Sequence, residues 1–453
     1  MQSKFALIAT VAFCLVLSAA ASARAQGDAE SARLERVASL ISSDRMQEAE
    51  QQLNSILKAK PDDTLALNLL GTVRAKQGRL DEAEALFARA LRVDKEFVGA
   101  HMNLAYLYLL KNEPEKTVKE LREVHRLVPD DADTSYKLAH LLLILGRADE
   151  CVAVIEEARR LNQLTPPLLT VLGDAYLKKG DAGKAEESYR AALGAQGDNA
   201  DALLGLALIS QSKGDAASAS AYLSRVKELI LDSPERLYRF AVVALRSERF
   251  DDAKGALERA VQLKPDEPAY LVALGAVWLK QPELFEAERV FRRALKLQPD
   301  NAQAQMYLGY TLLKQKKYPE AREWLEKSAG KDTSAPETFY YLGLIAQEQN
   351  EDERAVDLFE RAVRLTPSFA VAHIALGSTY LKLKNYERAR QELEAGVRLK
   401  PDDSKAHYNL ARLYALLKDP QRAQAEMAIV ERLKNAGKAQ TQEADIAAPS
   451  SPR

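Results

Sequence analysis

The side chains best suited to chemistry are scarce in this 453-residue chain, which has five histidines and two cysteines. A metal centre needs clustered His, Cys or carboxylate ligands, and nucleophilic catalysis needs a Ser or Cys beside a base. Neither pattern occurs. There is no H-E-x-x-H, no G-x-S-x-G, no phosphate-cradling G-x-x-x-x-G-K-[ST] and no G-x-G-x-x-G. Carboxylate pairs such as Glu82/Glu84, Glu156/Glu157 and Glu186/Glu187 could serve acid–base work. With 28% of the residues charged, they read more simply as solvated helix faces. The 64 Lys+Arg nearly balance the 65 Asp+Glu, so no basic field marks a nucleic-acid ligand. These residues predict a protein that is not an enzyme and holds no cofactor or metal.

The N-terminus reads as an address. Lys4 precedes an apolar run from Phe5 to Ala20, broken by Thr10 and Ser18. Small residues follow, and Ala23-Arg24-Ala25 has the form that signal peptidase reads. The expectation is an exported protein, periplasmic or secreted, with residues 1–25 removed after Ala25 and no membrane span left. A bilayer crossing needs about 20 apolar residues, and this run is shorter. Phe13 precedes Cys14 where a lipoprotein site wants a small residue, which argues against lipidation. Loss of Lys4 and Arg24 would leave 62 basic and 65 acidic residues, a net charge of −3. Cys151 would then be the one remaining cysteine.

The elements that must position any site follow a single period. Stepping by 34 from Leu70-Gly71 gives Leu104-Ala105, Leu138-Ala139, Leu172-Gly173, Leu206-Ala207, Phe240-Ala241, Leu274-Gly275, Leu308-Gly309, Leu342-Gly343, Leu376-Gly377 and Leu410-Ala411. Twelve repeats, I to XII, begin at Glu30, Thr64, Val98, Ala132, Pro166, Ala200, Pro234, Pro268, Ala302, Pro336, Ala370 and Ser404. Position 8 is Gly or Ala in eleven of the twelve, position 20 is Ala in ten, and position 24 is always apolar or aromatic. Positions 4, 7, 8 and 11 fall on one face at helical spacing, and so do 20, 24 and 27. Two helices per repeat follow, A then B. The prolines agree, because they cluster at positions 1–2, 15–18 and 32, outside helix interiors. Asp62, Asp130, Asp266, Asp300 and Asp402 follow position-32 prolines and are expected to cap the next helix A.

This pattern resembles the tetratricopeptide repeat family, W-x2-L-G-x2-Y, then A-x3-F, then P. Repeat VIII is the clearest copy, with Leu274-Gly275, Trp278 in the Tyr slot, Ala287, Phe291, Ala294 and Pro299. The resemblance covers residues 30–437 and implies an all-α solenoid, a right-handed superhelix of about twelve helix-turn-helix repeats. The first and last repeats are the least typical. The residues from Lys438 to Arg453 are small, polar and Pro-containing, and read as a disordered tail. That division leaves no room for a separate catalytic domain.

Within the repeats the histidines lose their chemical promise. His101, His373 and His407 take position 4, a helix-packing slot in the family, and His125 takes position 28. His140, at position 9, faces the groove that the family implies. With Asp174 it would be the one candidate for catalysis. Cys151 fills the small slot at position 20. Basic residues recur at position 13: Lys76, Lys178, Arg246, Lys280, Lys314 and Lys382. They would either compensate the dipole at the end of helix A or form a stripe for an acidic ligand, and the first reading is preferred.

The resemblance implies a ligand groove along helix A, around positions 2, 5, 6, 9, 12 and 13. Tyrosine concentrates there: Tyr136, Tyr238, Tyr340 and Tyr408 at position 5, Tyr307 and Tyr341 at position 6, and Tyr106 and Tyr310 at position 9. Position 6 adds Asn103, Lys137 and Asn409, and position 9 adds His140 and Arg412. Tyr at position 5 could equally pack between repeats, whereas positions 6 and 9 favour a surface role. The carboxylate clamp of chaperone-tail binders is not reproduced, since the repeats beside Asn103 offer Asn68, Thr72, Asp133 and Lys137. The Asn ladder of the O-linked N-acetylglucosamine transferases is missing too. The expected function is a scaffold or adaptor of the bacterial cell envelope that binds protein or peptide partners in the groove and assists envelope assembly or polysaccharide export. The rivals are a glycan-binding solenoid of an exopolysaccharide system and a lumenal co-chaperone, although the C-terminus carries no Lys-Asp-Glu-Leu type signal.

Overall fold

The computed structural model describes residues 28–281 and 283–447. The expected signal segment, residues 1–25, lies outside them. Among the described residues there are 24 α-helices, joined by short turns. The chain divides into two compact units, one running to Leu231 and the other starting at Asp232. Each is an α-solenoid in which helices A and B of a repeat pack antiparallel and neighbouring repeats share apolar cores.

Helix A occupies positions 1–13, as in Thr64–Lys76, Ala132–Ile144 and Pro336–Glu348. Helix B starts at position 17, as in Leu80–Val93 and Asp352–Leu365. In repeat VI helix B is shorter, Ala216–Val226, and ends in the 3-10 turn Lys227–Leu229. The last helix, Pro420–Ala447, runs past Gly437 into the segment whose composition reads as a tail.

The small residue at position 8 is fitted to the residue at position 24. A Cβ on Gly71, Gly173, Gly275 or Gly343 would lie 2.4–2.5 Å from the ring of Phe87, Tyr189, Phe291 or Phe359. All four rings are fully buried. The four repeats with an aromatic at position 24 thus all have Gly at position 8.

The turn between A and B has a fixed geometry. Position 15 has a positive φ in Gly78, Gly146, Gly180 and Gly214, and also in Asp44, Asn112, Glu248, Lys316, Asn350, Lys384 and Lys418. The N–H of position 16 then donates to the carbonyl of position 11, as from Arg79 to Arg74 and from Asp181 to Tyr176, both at 2.9 Å. This six-to-one bond closes the helix C-terminus around a left-handed residue.

The expected caps lie one residue too early. After Asp62, Asp130, Asp300 and Asp402 it is position 34, not the Asp at position 33, that caps helix A, and after Asp266 the N-cap Glu267 makes no side-chain cap. Asp63 Oδ1 accepts from Ala66 N at 2.8 Å, Asn301 Oδ1 from Ala304 N at 2.9 Å, and Asp403 Oδ1 from Lys405 N and Ala406 N, both at 3.1 Å. Asp131 caps by the same kind of bonds. The N-cap residue must leave the helix in extended geometry so that its side chain can turn back to N2 or N3. Asp62 and Asp300 lie one residue outside that point and pair instead with Arg89 and Lys331 on helix B.

Candidate functional site

The groove candidates fall into two clusters, one in each compact unit. In the first unit helices A of repeats II, III and IV lie side by side. Asn103 Nδ2 donates to Asn68 Oδ1 at 2.9 Å and approaches Thr72 Oγ1 at 3.4 Å. Lys137 Nζ donates to Tyr106 Oη at 2.8 Å and to the carboxylate of Asp133. Burial lowers the Lys137 ammonium's affinity for its proton, but Asp133 and Tyr106 outweigh that and leave its pKa raised. Tyr136 and His140 stack at 5.6 Å between ring centroids. The cluster is half-buried and its polar groups are largely used within the protein.

Two candidates for chemistry nearby have structural surroundings. Burial pushes the Cys151 thiol up to about 12, so it remains a thiol and fills the core. Asp174 accepts a 2.6 Å bond from the hydroxyl of buried Tyr189. Among the described residues no group of three His, Cys, Asp or Glu side chains is placed to hold a metal ion.

The second unit holds a larger aromatic shelf. Tyr310 and Tyr341 rings lie 4.7 Å apart, Tyr341 and Tyr340 5.6 Å apart, and Tyr307 stacks on buried Phe291 at 5.5 Å. Tyr340 also packs against Phe359 at 5.9 Å and Phe369 at 5.4 Å, so this position-5 tyrosine is wedged between helix B and the linker of its own repeat. Lys314 sits over the Tyr310 ring at 5.5 Å. Burial raises the pKa of Tyr340 and Tyr341, aided by neighbouring phenols and by Asp403 and Glu337 respectively, so both remain uncharged donors.

The hydroxyls separate this shelf from four buried or half-buried tyrosines elsewhere. Tyr108, Tyr189, Tyr380 and Tyr414 donate to Glu84, Asp174, Glu360 and Glu394. Tyr307, Tyr310, Tyr340 and Tyr341 make no such bond among the described residues, and each is half-buried. Four phenols with apolar faces and unspent hydroxyls are thus gathered on adjacent helices A.

The remaining candidates lie further along the same unit. Tyr238 pairs with Tyr270 at 5.3 Å, a residue at position 3 that the groove pattern does not include. Tyr408 is 47% exposed, with Arg412 above its ring at 5.9 Å. Asn409 is buried and its Nδ2 has no hydrogen-bond partner among the described residues. Of the position-13 bases, Lys76 and Lys178 reach the carbonyls of Ile41 and Leu143, in the last turn of the preceding helix A. That contact favours dipole compensation there. Lys382 pairs with Asp352.

Known proteins resemble this chain over parts of its length. Tetratricopeptide repeat models match residues 34–95, 68–132 and 344–407, and the model of the cilia and flagella-associated protein 70 C-terminal domain matches 128–340. Cellulose synthase operon protein C of Xanthomonas axonopodis pv. citri (strain 306) is 28% identical over 213 residues, 46% of this chain. Cellulose synthase 1 operon protein C of Komagataeibacter xylinus is 27% identical over 192 residues, 41% of this chain. The matched stretch is 12% of the length of each of these relatives. Among solved structures, the Cut9-Hcn1 hetero-tetramer of APC/C aligns over 90% of this chain and 94% of the matched chain, with a TM-score of 0.48 and 14% identity. Pseudomonas aeruginosa pilF aligns over 47% of this chain and 97% of its own, with a TM-score of 0.42 and 23% identity. With its in-phase helix pairs and the repeat models along its length, the chain belongs to the tetratricopeptide repeat family.

Proposed function

We propose that this protein is a binding scaffold that holds a protein or peptide partner along the helix-A face of repeats IX and X. The observation that carries the reading is the shelf of Tyr307, Tyr310, Tyr340 and Tyr341. Tyrosine gives a broad contact area at low entropic cost and a polar tip for orientation. An extended partner segment would lay apolar side chains on the rings and its backbone carbonyls on the free hydroxyls. The mixed charge of the flanking groups, Lys314 and Glu337, suits such a segment better than a strongly charged one.

The setting we propose is the bacterial envelope, with export through the signal-like N-terminus. The similarity to proteins of cellulose synthase operons supports a place beside a polysaccharide machine. Those names also raise the glycan reading, because sugar rings stack on tyrosine and bond to its hydroxyl. The test is binding by the purified chain and by its Tyr310→Phe/Tyr341→Phe variant. Partner proteins recovered from envelope extract should be lost in the variant, while cello-oligosaccharides should bind neither form. Cello-oligosaccharide binding abolished by the variant would replace the peptide reading with the glycan one.

A further inference from the structure

Three of the five histidines build the same arrangement. In repeats III, XI and XII the position-4 imidazole has Nδ1 2.6 Å from a position-23 carboxylate, Glu120, Glu392 or Glu426. Its Nε2 lies 2.9–3.0 Å from the position-32 carbonyl of the preceding repeat, that of Lys95, Pro367 or Pro401. All three histidines are buried. Glu occurs at position 23 in these three repeats and in no other. His at position 4 and Glu at position 23 therefore appear together.

Both ring nitrogens face an acceptor. A neutral imidazole has one N–H and cannot satisfy both. The arrangement needs two protons per His–Glu pair, however they are shared between ring and carboxylate. When one is lost, the remaining N–H serves the carboxylate, which offers the shorter, charge-assisted bond. The Nε2 lone pair is then turned on the linker carbonyl. An attraction between adjacent repeats becomes a repulsion.

We propose that these three His–Glu pairs are proton-controlled latches, which hold a repeat to the linker before it when protonated and release that linker when deprotonated. The groups acting on each ring agree with this. Glu120 is the main influence on His101, joined by Glu123, and the pKa is raised. Glu392 likewise raises that of His373 against burial and the opposing charge of Arg398. Glu426 is the carboxylate at His407. From the preceding repeat each ring meets the uncharged linker carbonyl. At His101 and His373 a raised folded value fixes the sign. The latch contributes fully below the ordinary imidazole value of 6.5 and is lost as pH rises through the higher folded value.

Repeat IX provides an internal control. Gln305 stands at position 4, and its Nε2 donates to the same linker carbonyl, that of Pro299, at 2.7 Å. Trp324 stands where the Glu would be, and Gln305 Oε1 has no partner among the described residues. This joint makes the linker bond without a titrating group.

The test is amide exchange on the full chain across pH 6 to 9, corrected for intrinsic rates, with a histidine NMR titration. Protection of the linker amides of Phe369 and Asp403 should fall several-fold relative to Asn301, whose linker is held by Gln305. His373→Gln should remove the fall at Phe369 and leave it at Asp403. Equal pH dependence at all three amides, or a His373 ring that titrates below 6.5, would overturn the proposal. Should His373→Gln not fold, the comparison within the wild-type chain still decides.

Discussion

Gly343 and Phe359 are built for each other: a Cβ on Gly343 would lie 2.4 Å from Phe359 Cε1, on a ring with no solvent exposure. Helix A can cross helix B closely in repeat X because Gly offers the ring a flat backbone. Repeats III and IV solve the same problem differently, with Ala105 over Leu121 and Ala139 over Ile155.

Gly343→Ala should therefore destabilise repeat X. Overpacking costs about 1–3 kcal/mol, and the better helix propensity of Ala returns roughly 1 kcal/mol. Gly343→Ala/Phe359→Leu restores the pairing of repeat III and should show favourable coupling of about 0.5–3 kcal/mol. Local opening energies from amide exchange in repeat X are the suitable readout, because a repeat array need not unfold in one step. Additive single and double variants would remove the pairing rule.

Gly180 tests the turn. Its φ is +78° and nothing lies within 4 Å of a Cβ added there, so a substitution meets backbone strain and no clash. Gly180→Ala should cost about 1–2 kcal/mol. Gly180→Asn should cost less, because Asn112, Asn162 and Asn350 already take this conformation in the chain. Thermal midpoints of the two variants give the order directly.

Asp402 and Asp403 separate the two cap assignments. Asp403→Ala should lose about 1 kcal/mol with its bonds to Lys405 N and Ala406 N, while Asp402→Ala should be nearly neutral. Burial works against the Asp403 carboxylate, yet the Ala406 N–H and Lys400 hold its pKa below the ordinary 3.8. With a lowered folded value, the cap's contribution is present above that range and disappears as pH falls through it. The gap between wild type and Asp403→Ala should close in acid, as measured by unfolding midpoints from pH 7 to pH 2.

The period carried most of the fold. The small residues at positions 8 and 20, and proline at helix starts and linkers, were legible because sterics tie residue type to place, whereas the fit of position 8 to position 24 needed the structure. The caps were misplaced by one residue because positions 33 and 34 are both commonly polar, so side-chain type does not set the phase. The left-handed position 15 was hidden behind its seven non-glycine residues. For the site, a spacing of 34 put Tyr307 beside Tyr341 on neighbouring helices. Which amides and hydroxyls were already used, as Asn103 is by Asn68, depends on rotamers that no repeat pattern encodes. The pairing of His at position 4 with Glu at position 23 was present in the residues, but its meaning needed the linker carbonyl.

Tyr310 and Tyr341 separate binding from stability. Their hydroxyls have no partner among the described residues, so Tyr→Phe leaves the core unchanged. Each hydroxyl that bonds a ligand should cost about 0.5–1.5 kcal/mol of affinity when removed. Tyr340→Ala is a poorer probe, because it also withdraws the wedge between Phe359 and Phe369.

Photocrosslinking in the producing cell shows whether the shelf is the binding face. A benzoylphenylalanine at Tyr310 samples the shelf, and one at Glu323, an exposed residue on helix B of the same repeat, samples the opposite helix. Discrete protein adducts should form from Tyr310 and weaken several-fold with Tyr341→Phe, with none from Glu323. Adducts from Glu323 with none from Tyr310 would place the binding face elsewhere and contradict the proposal.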